Sequence, residues 1–301
     1  MGRAKRIPYG VSDFIDIIER NQYYVDKTMY IPKLEDEPDA LFFIRPRRFG
    51  KSLFISMLRA YYDIKRKDKF DKLFGNLWIG SHPTENQGKY QVLFLDFSKI
   101  GGSIDQLEEN FNAYCNECID SFIETYQEYY PARVVENVLK AKTAARKLNA
   151  IGIAAEKKNL PLYLIVDEYD NFTNVVLNEQ GEEVYTALTH ASGFYREIFK
   201  VFKGMFSKIF MTGVSPVTLD DLTSGFNIGW HISTKPAFNQ MLGFSTEDVR
   251  ELFTYYKENG EIRPDSDVEA IIEDMKPWYD NYCFSRSALK TQSKVFNSDM
   301  V

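Results

Sequence analysis

Four short apolar runs, each closing on a polar residue or turn, pace the chain: Ala40-Leu41-Phe42-Phe43-Ile44, Gln91-Val92-Leu93-Phe94-Leu95-Asp96, Leu162-Tyr163-Leu164-Ile165-Val166-Asp167 and Lys208-Ile209-Phe210-Met211-Thr212-Gly213. Near-continuous apolar runs of this length are the signature of strands buried on both faces, as in a parallel sheet. Between them the period lengthens to that of a helix. Leu53, Phe54, Met57, Leu58 and Tyr61 share one face of a segment running to Tyr62, and residues 103–159 read as helices interrupted at Pro131. Ala187 to Phe202 reads as a further helix, and Asn227 to Ser233 as a further strand. Upstream, Ser12 is placed to cap a helix running through Arg20, with Phe14, Ile17 and Ile18 on its apolar face. The alternation predicts an α/β fold, a parallel sheet with helices on both faces.

Near residue 236 the pattern changes. Ser245 can cap a helix whose first turn carries Glu247 and Asp248 and whose apolar face is Val249, Leu252, Phe253 and Tyr256. Gly260 closes it, Pro264 opens the next segment, and Ala270 to Met275 reads as a second helix. Three parts are therefore expected. Residues 1–35 form an N-terminal extension packing near the site described next, 36–235 the core, and 236–301 the start of a helical lid.

The candidate chemistry lies where apolar runs end. The first run passes into Arg45-Pro46-Arg47-Arg48-Phe49-Gly50-Lys51-Ser52-Leu53, which carries Gly-Lys-Ser into a helix. This strand–loop–helix order is that of a phosphate-binding P-loop, in which backbone N–H groups and the helix N-terminus surround phosphate. Lys51 would reach the β/γ oxygens and Ser52 would coordinate Mg²⁺. One position departs from the standard motif: Arg45 stands where its first Gly belongs. The third run ends in Asp167-Glu168, as a Walker B strand does, with Asp167 a metal carboxylate and Glu168 the residue that polarises an attacking water. Thr212 closes the fourth run and is a candidate γ-phosphate sensor, whereas Asp96 holds the usual place of a structural carboxylate. Arg47 and Arg48 have two readings, contact with phosphate or a neighbouring subunit, and simple solvation. Tyr24-Val25-Asp26-Lys27-Thr28 also has two, core packing and a cover over a nucleotide base.

Composition narrows the classes. A chain of 301 residues can bury a substantial core, and a net charge of −6 argues against a general nucleic-acid-binding surface. No apolar run approaches the roughly 20 residues that span a bilayer, and no secretory pattern opens the chain, so a cytoplasmic protein without membrane partners is expected. Cys115, Cys118 and Cys283 lack the partners of a zinc site and are expected as reduced thiols. His82, His190 and His231 are scattered.

With Tyr24-Val25-Asp26-Lys27-Thr28, the Arg45–Ser52 loop, Val166-Asp167-Glu168-Tyr169-Asp170, Thr212-Gly213 and Trp278-Tyr279-Asp280-Asn281-Tyr282 in this order, the chain resembles the bacterial predicted AAA-ATPase family of P-loop NTPases. The resemblance makes Arg45 a family trait, and Asn281 stands where the family has Gly. It implies an AAA+-like fold, ATP and Mg²⁺ as ligands, and ATP hydrolysis. Its alternative is a nucleotide-gated switch with little turnover that controls a C-terminal nuclease-like domain. The family often carries such a domain of PD-(D/E)XK type, and this chain is expected to stop within the lid before it. Nucleic acid would then be met only through that missing domain. A homo-oligomer is left open. ATP over GTP also follows from the resemblance, since no guanine-reading Asn/Thr-Lys-x-Asp pattern occurs.

Overall fold

The structure is a computed structural model and describes residues 4–101, 104–171, 194–215, 229–279, 282–291 and 293–298. Its elements follow the apolar pattern. The helices α1 (Phe14–Glu19) and α2 (Tyr30–Glu35) precede β1 (Ala40–Ile44), and α3 (Lys51–Tyr62), α4 (Phe70–Phe74) and α5 (Trp78–Ser81) follow it. Then come β2 (Gln91–Asp96), α6 (Ile104–Thr125), α7 (Ala132–Lys140), α8 (Ala144–Lys157), β3 (Leu162–Asp167), α9 (Phe194–Met205), β4 (Lys208–Gly213) and β5 (Trp230–His231). The chain continues through α10 (Thr246–Glu258), α11 (Val268–Tyr279) and α12 (Arg286–Thr291).

Among the described residues five strands form one sheet in the order β2-β3-β4-β1-β5, with parallel pairing throughout. A parallel sheet needs cover on both faces, and the strand residues divide accordingly. Phe42, Leu93, Leu95, Leu164, Val166 and Met211 join the core under α6, α8 and α9. Their alternates Leu41, Phe43, Tyr163, Ile165 and Phe210 join a second core with α1 to α5. The α/β class expected from the sequence is the class observed.

Several boundaries differ. The first helix is capped by Asp13, not Ser12: its carboxylate accepts the N–H groups of Ile15 (2.8 Å) and Asp16 (3.1 Å). Asp and Ser are comparable caps, and the apolar phase of Phe14 and Ile17 decides between adjacent candidates. The second C-terminal helix extends beyond Ala270–Met275 at both ends and includes Pro277. Ser245 does cap α10, in a reciprocal box with Asp248. The Ala187–Phe202 expectation lies partly outside the described residues; its described part belongs to α9.

Beyond β5 a small cluster of Val249, Ile272 and Phe296 holds α10, α11 and the last described residues together. This C-terminal segment is also tied to the core. Lys27 donates to Asp248, and the Tyr23 ring lies 5.1 Å from Tyr255 and 5.7 Å from Tyr256.

Candidate nucleotide site

Ladder register gathers the candidate residues. Thr212 stands opposite Phe43 and Gly213 opposite Ile44, so β4 ends beside the start of the loop. On the other side of β4, Val166 pairs with Met211, which sets Asp167 next to Thr212. Loop, Thr212 and Asp167 thus meet at the carboxyl ends of parallel strands, where α/β sheets bind ligands.

Asp167 is the hub. One carboxylate oxygen accepts the Thr212 hydroxyl (2.6 Å) and the Glu168 N–H (3.0 Å); the other accepts the Ser52 hydroxyl (2.6 Å). The group is 4% exposed. Glu168 adopts a left-handed backbone at φ +50°, an unfavourable conformation for a side-chain-bearing residue and one that recurs at functional sites. Burial, then the adjacent Asp167 charge, raises the Glu168 carboxyl above its ordinary pKa.

The loop carries two left-handed residues: Arg48 at φ +67° and Gly50 at φ +84° flank Phe49. Gly50 is also the N-cap of α3, so the first turn of that helix leaves free N–H groups at the end of the loop. Lys51 is buried and folded back, its ammonium donating to the carbonyls of Arg45 and Pro46 at 3.0 Å each. Burial lowers its pKa, and the charges of Asp167, Glu168 and Asp170 counter that.

The remaining loop residues separate into two kinds. Arg47 and Arg48 are exposed, and the Arg47 charge bears on both Glu168 and Lys51. Arg45, Phe49 and Leu53 point into the protein, so they offer the site only backbone. The Arg45 guanidinium is buried, donating to the carbonyls of Ile44 (2.8 Å), Ser233 (3.0 Å) and Phe238 (2.8 Å), between the rings of Phe43 and Phe284. Phe49 packs edge-on against Tyr282 and Phe284, and Leu53 joins the α1–α5 core.

Two residues matter more than their motif positions suggest. The Asp170 carboxylate accepts the N–H groups of Val214 and Ser215, and the Tyr169 hydroxyl donates to the Ser215 carbonyl. Together they pin the tip of β4, and with it Thr212. Gly213 permits this, because a Cβ there would come within 2.5 Å of both Asp170 and the Tyr169 ring. Asp96 caps the turn after β2 through Ser98, the structural role expected of it.

In the Tyr24–Thr28 segment the side chains are engaged with protein. Tyr24 packs edge-on to Phe14. The Asp26 carboxylate accepts the Thr28 N–H and hydroxyl and the Trp78 N–H, and the Thr28 hydroxyl accepts the Ile79 N–H. These contacts are those of the core-packing alternative.

The family description Predicted AAA-ATPase matches residues 8–223. The chain belongs to that family. As a member it is an ATPase-like, nucleotide-binding domain of the P-loop class, built on the parallel sheet described above. Among curated proteins, an uncharacterized protein in the vnfD 5′ region of Azotobacter chroococcum mcd 1 is 25% identical over 267 residues, covering 83% of this chain and 45% of that protein. Among solved structures, the Aeropyrum pernix ORC2 protein in its ADPNP–ADP complexes aligns with a TM-score of 0.37 and 12% identity, over 83% of this chain and 54% of that one. This chain thus spans about half the length of each. No described helix is long and apolar enough to cross a membrane.

Proposed function

We propose that this AAA-ATPase-like domain binds ATP with Mg²⁺ in the Arg45–Ser52 loop and hydrolyses it. One observation carries the reading: Asp167 holds Ser52 and Thr212 on its two oxygens, beside a loop with left-handed backbone at Arg48 and Gly50, a conformation of the kind that gathers N–H groups around an anion.

The donor set suits a hard divalent cation. Ser52 Oγ and Asp167 are oxygen ligands, and a hydroxyl can rotate its proton away to present a lone pair. Mg²⁺ held there would neutralise charge on the β- and γ-phosphates. Lys51 exchanges two loop carbonyls for phosphate oxygens, adding a point charge. The N–H groups around Phe49 and Gly50 hold the β-phosphate. Glu168 orients and polarises the attacking water, and its raised pKa brings it nearer to that of an effective base. Thr212, pinned through Gly213 by Tyr169 and Asp170, offers its hydroxyl toward the γ-phosphate. Arg47 at the mouth adds positive charge. The segment beyond β5 serves as a lid that packs on the loop through Phe49.

Phosphate release from ATP and Mg²⁺ tests this. Glu168→Gln keeps the side chain's shape and removes the base, so hydrolysis should fall at least about a hundredfold while ATP binding persists. A parent chain that binds ATP without releasing phosphate favours the switch reading. A folded Glu168→Gln protein with the parent's rate contradicts the role of Glu168.

A further inference from the structure

Two backbone carbonyls of the loop accept hydrogen bonds from the far end of the chain. Ser298 Oγ donates to the Arg48 carbonyl at 3.1 Å, across a separation of 250 residues. The N–H of Gly243 donates to the Phe49 carbonyl at 3.3 Å. Arg48 is one of the loop's two left-handed residues, and a Cβ on the other, Gly50, would lie 3.8 Å from the same Ser298 oxygen.

The two donors belong to one unit. Phe244 and Phe296 exchange both backbone hydrogen bonds, at 3.0 and 2.7 Å, and Val295 bridges to Tyr282. Gly243 at φ +77° lets the strands meet: a Cβ there would come within 2.7 Å of the Phe296 carbonyl and 3.1 Å of the Phe49 ring. That ring is in turn packed against Tyr282 and Phe284. Residues 243–244 and 295–298 thus form a brace behind the loop, with Ser298 at its tip.

We propose that Ser298 is a positioning residue of the phosphate loop, holding the Arg48 peptide so that the neighbouring N–H groups face a triphosphate. The inference rests on the nucleotide reading above and deepens it, because it extends the site to a C-terminal segment beyond the matched residues 8–223. Ser298 touches no phosphate in this account. It acts through the conformation of Arg48, and it makes triphosphate affinity depend on whether residues 295–298 are docked.

The test uses the full chain, with Ser298→Ala and Ser298→Thr beside the parent. ATP and inorganic triphosphate are titrated in Mg²⁺, and amide exchange across residues 48–52 is followed without ligand. One lost hydrogen bond of this type predicts a fall of about two- to twelvefold in Ser298→Ala, equal for ATP and triphosphate, with Ser298→Thr restoring affinity. Loop amides should exchange faster in Ser298→Ala while β1 and β3 amides stay at parent rates. Parent-like affinity and parent-like loop exchange in Ser298→Ala overturn the proposal. So does a loss seen with ATP alone, which would place Ser298 at the base. If the parent binds neither ligand, the nucleotide reading fails; unchanged loop exchange would then reject the brace as well, and faster exchange would retain it as a brace.

Discussion

Ser52 Oγ donates to Asp167 Oδ2 across 2.6 Å, joining residues 115 positions apart. The bond links the first turn of α3 to the tip of β3, so the loop and the acidic strand end are set against each other. Thr212 completes the arrangement from β4 on the other oxygen of the same carboxylate. Preorganised charge and dipoles of this kind need little rearrangement when phosphate charge develops.

Arg45 should be a stability residue. Its planar fork spans carbonyls of Ile44, Ser233 and Phe238, which a single ammonium cannot do. Arg45→Lys should therefore lower unfolding free energy by roughly 2–4 kcal/mol, because buried carbonyls lose their donors. Denaturant titration measures this. Unchanged stability would mean that the buried fork contributes nothing.

Glu168 carries a pH signature. Burial first, and Asp167 next, raise its carboxyl pKa above the ordinary 4.5, against the opposing charges of Lys51 and Arg47. A general base must be ionised, so turnover is full above the raised pKa and is lost as pH falls through it. The acid limb of the kcat/KM profile should have its midpoint above 4.5. A limb at or below that value, or an unaltered limb in Glu168→Gln, would count against the assignment.

Asp26 separates the two readings of the N-terminal segment. Its carboxylate accepts three donors, from Thr28 and Trp78, so Asp26→Ala should cost about 2–3 kcal/mol of stability. Affinities for ATP and for inorganic triphosphate should keep the parent's ratio in the folded variant. A selective loss for ATP would show that the segment covers the base.

Strand ends were legible in the sequence, and the rest of the site was legible only in part. Apolar runs that close on Asp167 and Thr212 announce buried parallel strands, and parallel strands bring their carboxyl ends to one edge. Gly50-Lys51-Ser52 announces a helix start behind a turn, and α3 does begin at Lys51. Side-chain direction in the loop carried no such signal. Arg45 holds the place of the motif's first Gly, yet its side chain's partners are 188 and 193 residues away and enclose it. Phe49 points at rings near residue 283, and the Ser298 contact spans 250 residues. Local periodicity encodes none of these pairings, because they arise when a later segment folds back on an earlier one. Asp26 was ambiguous for the same reason: its third donor, the Trp78 N–H, lies on another helix.

Lys51 gives the most direct measurement. Its ammonium rests on the Arg45 and Pro46 carbonyls inside the loop, close to the charges of Asp167 and Glu168. ATP titrated with Mg²⁺ into the parent and into Lys51→Ala, each shown to be folded by circular dichroism, tests whether that loop holds the phosphates. Loss of a charge-assisted contact predicts at least about a tenfold fall in affinity, shared by inorganic triphosphate. Equal ATP affinity in the folded variant and the parent would contradict the phosphate-loop assignment.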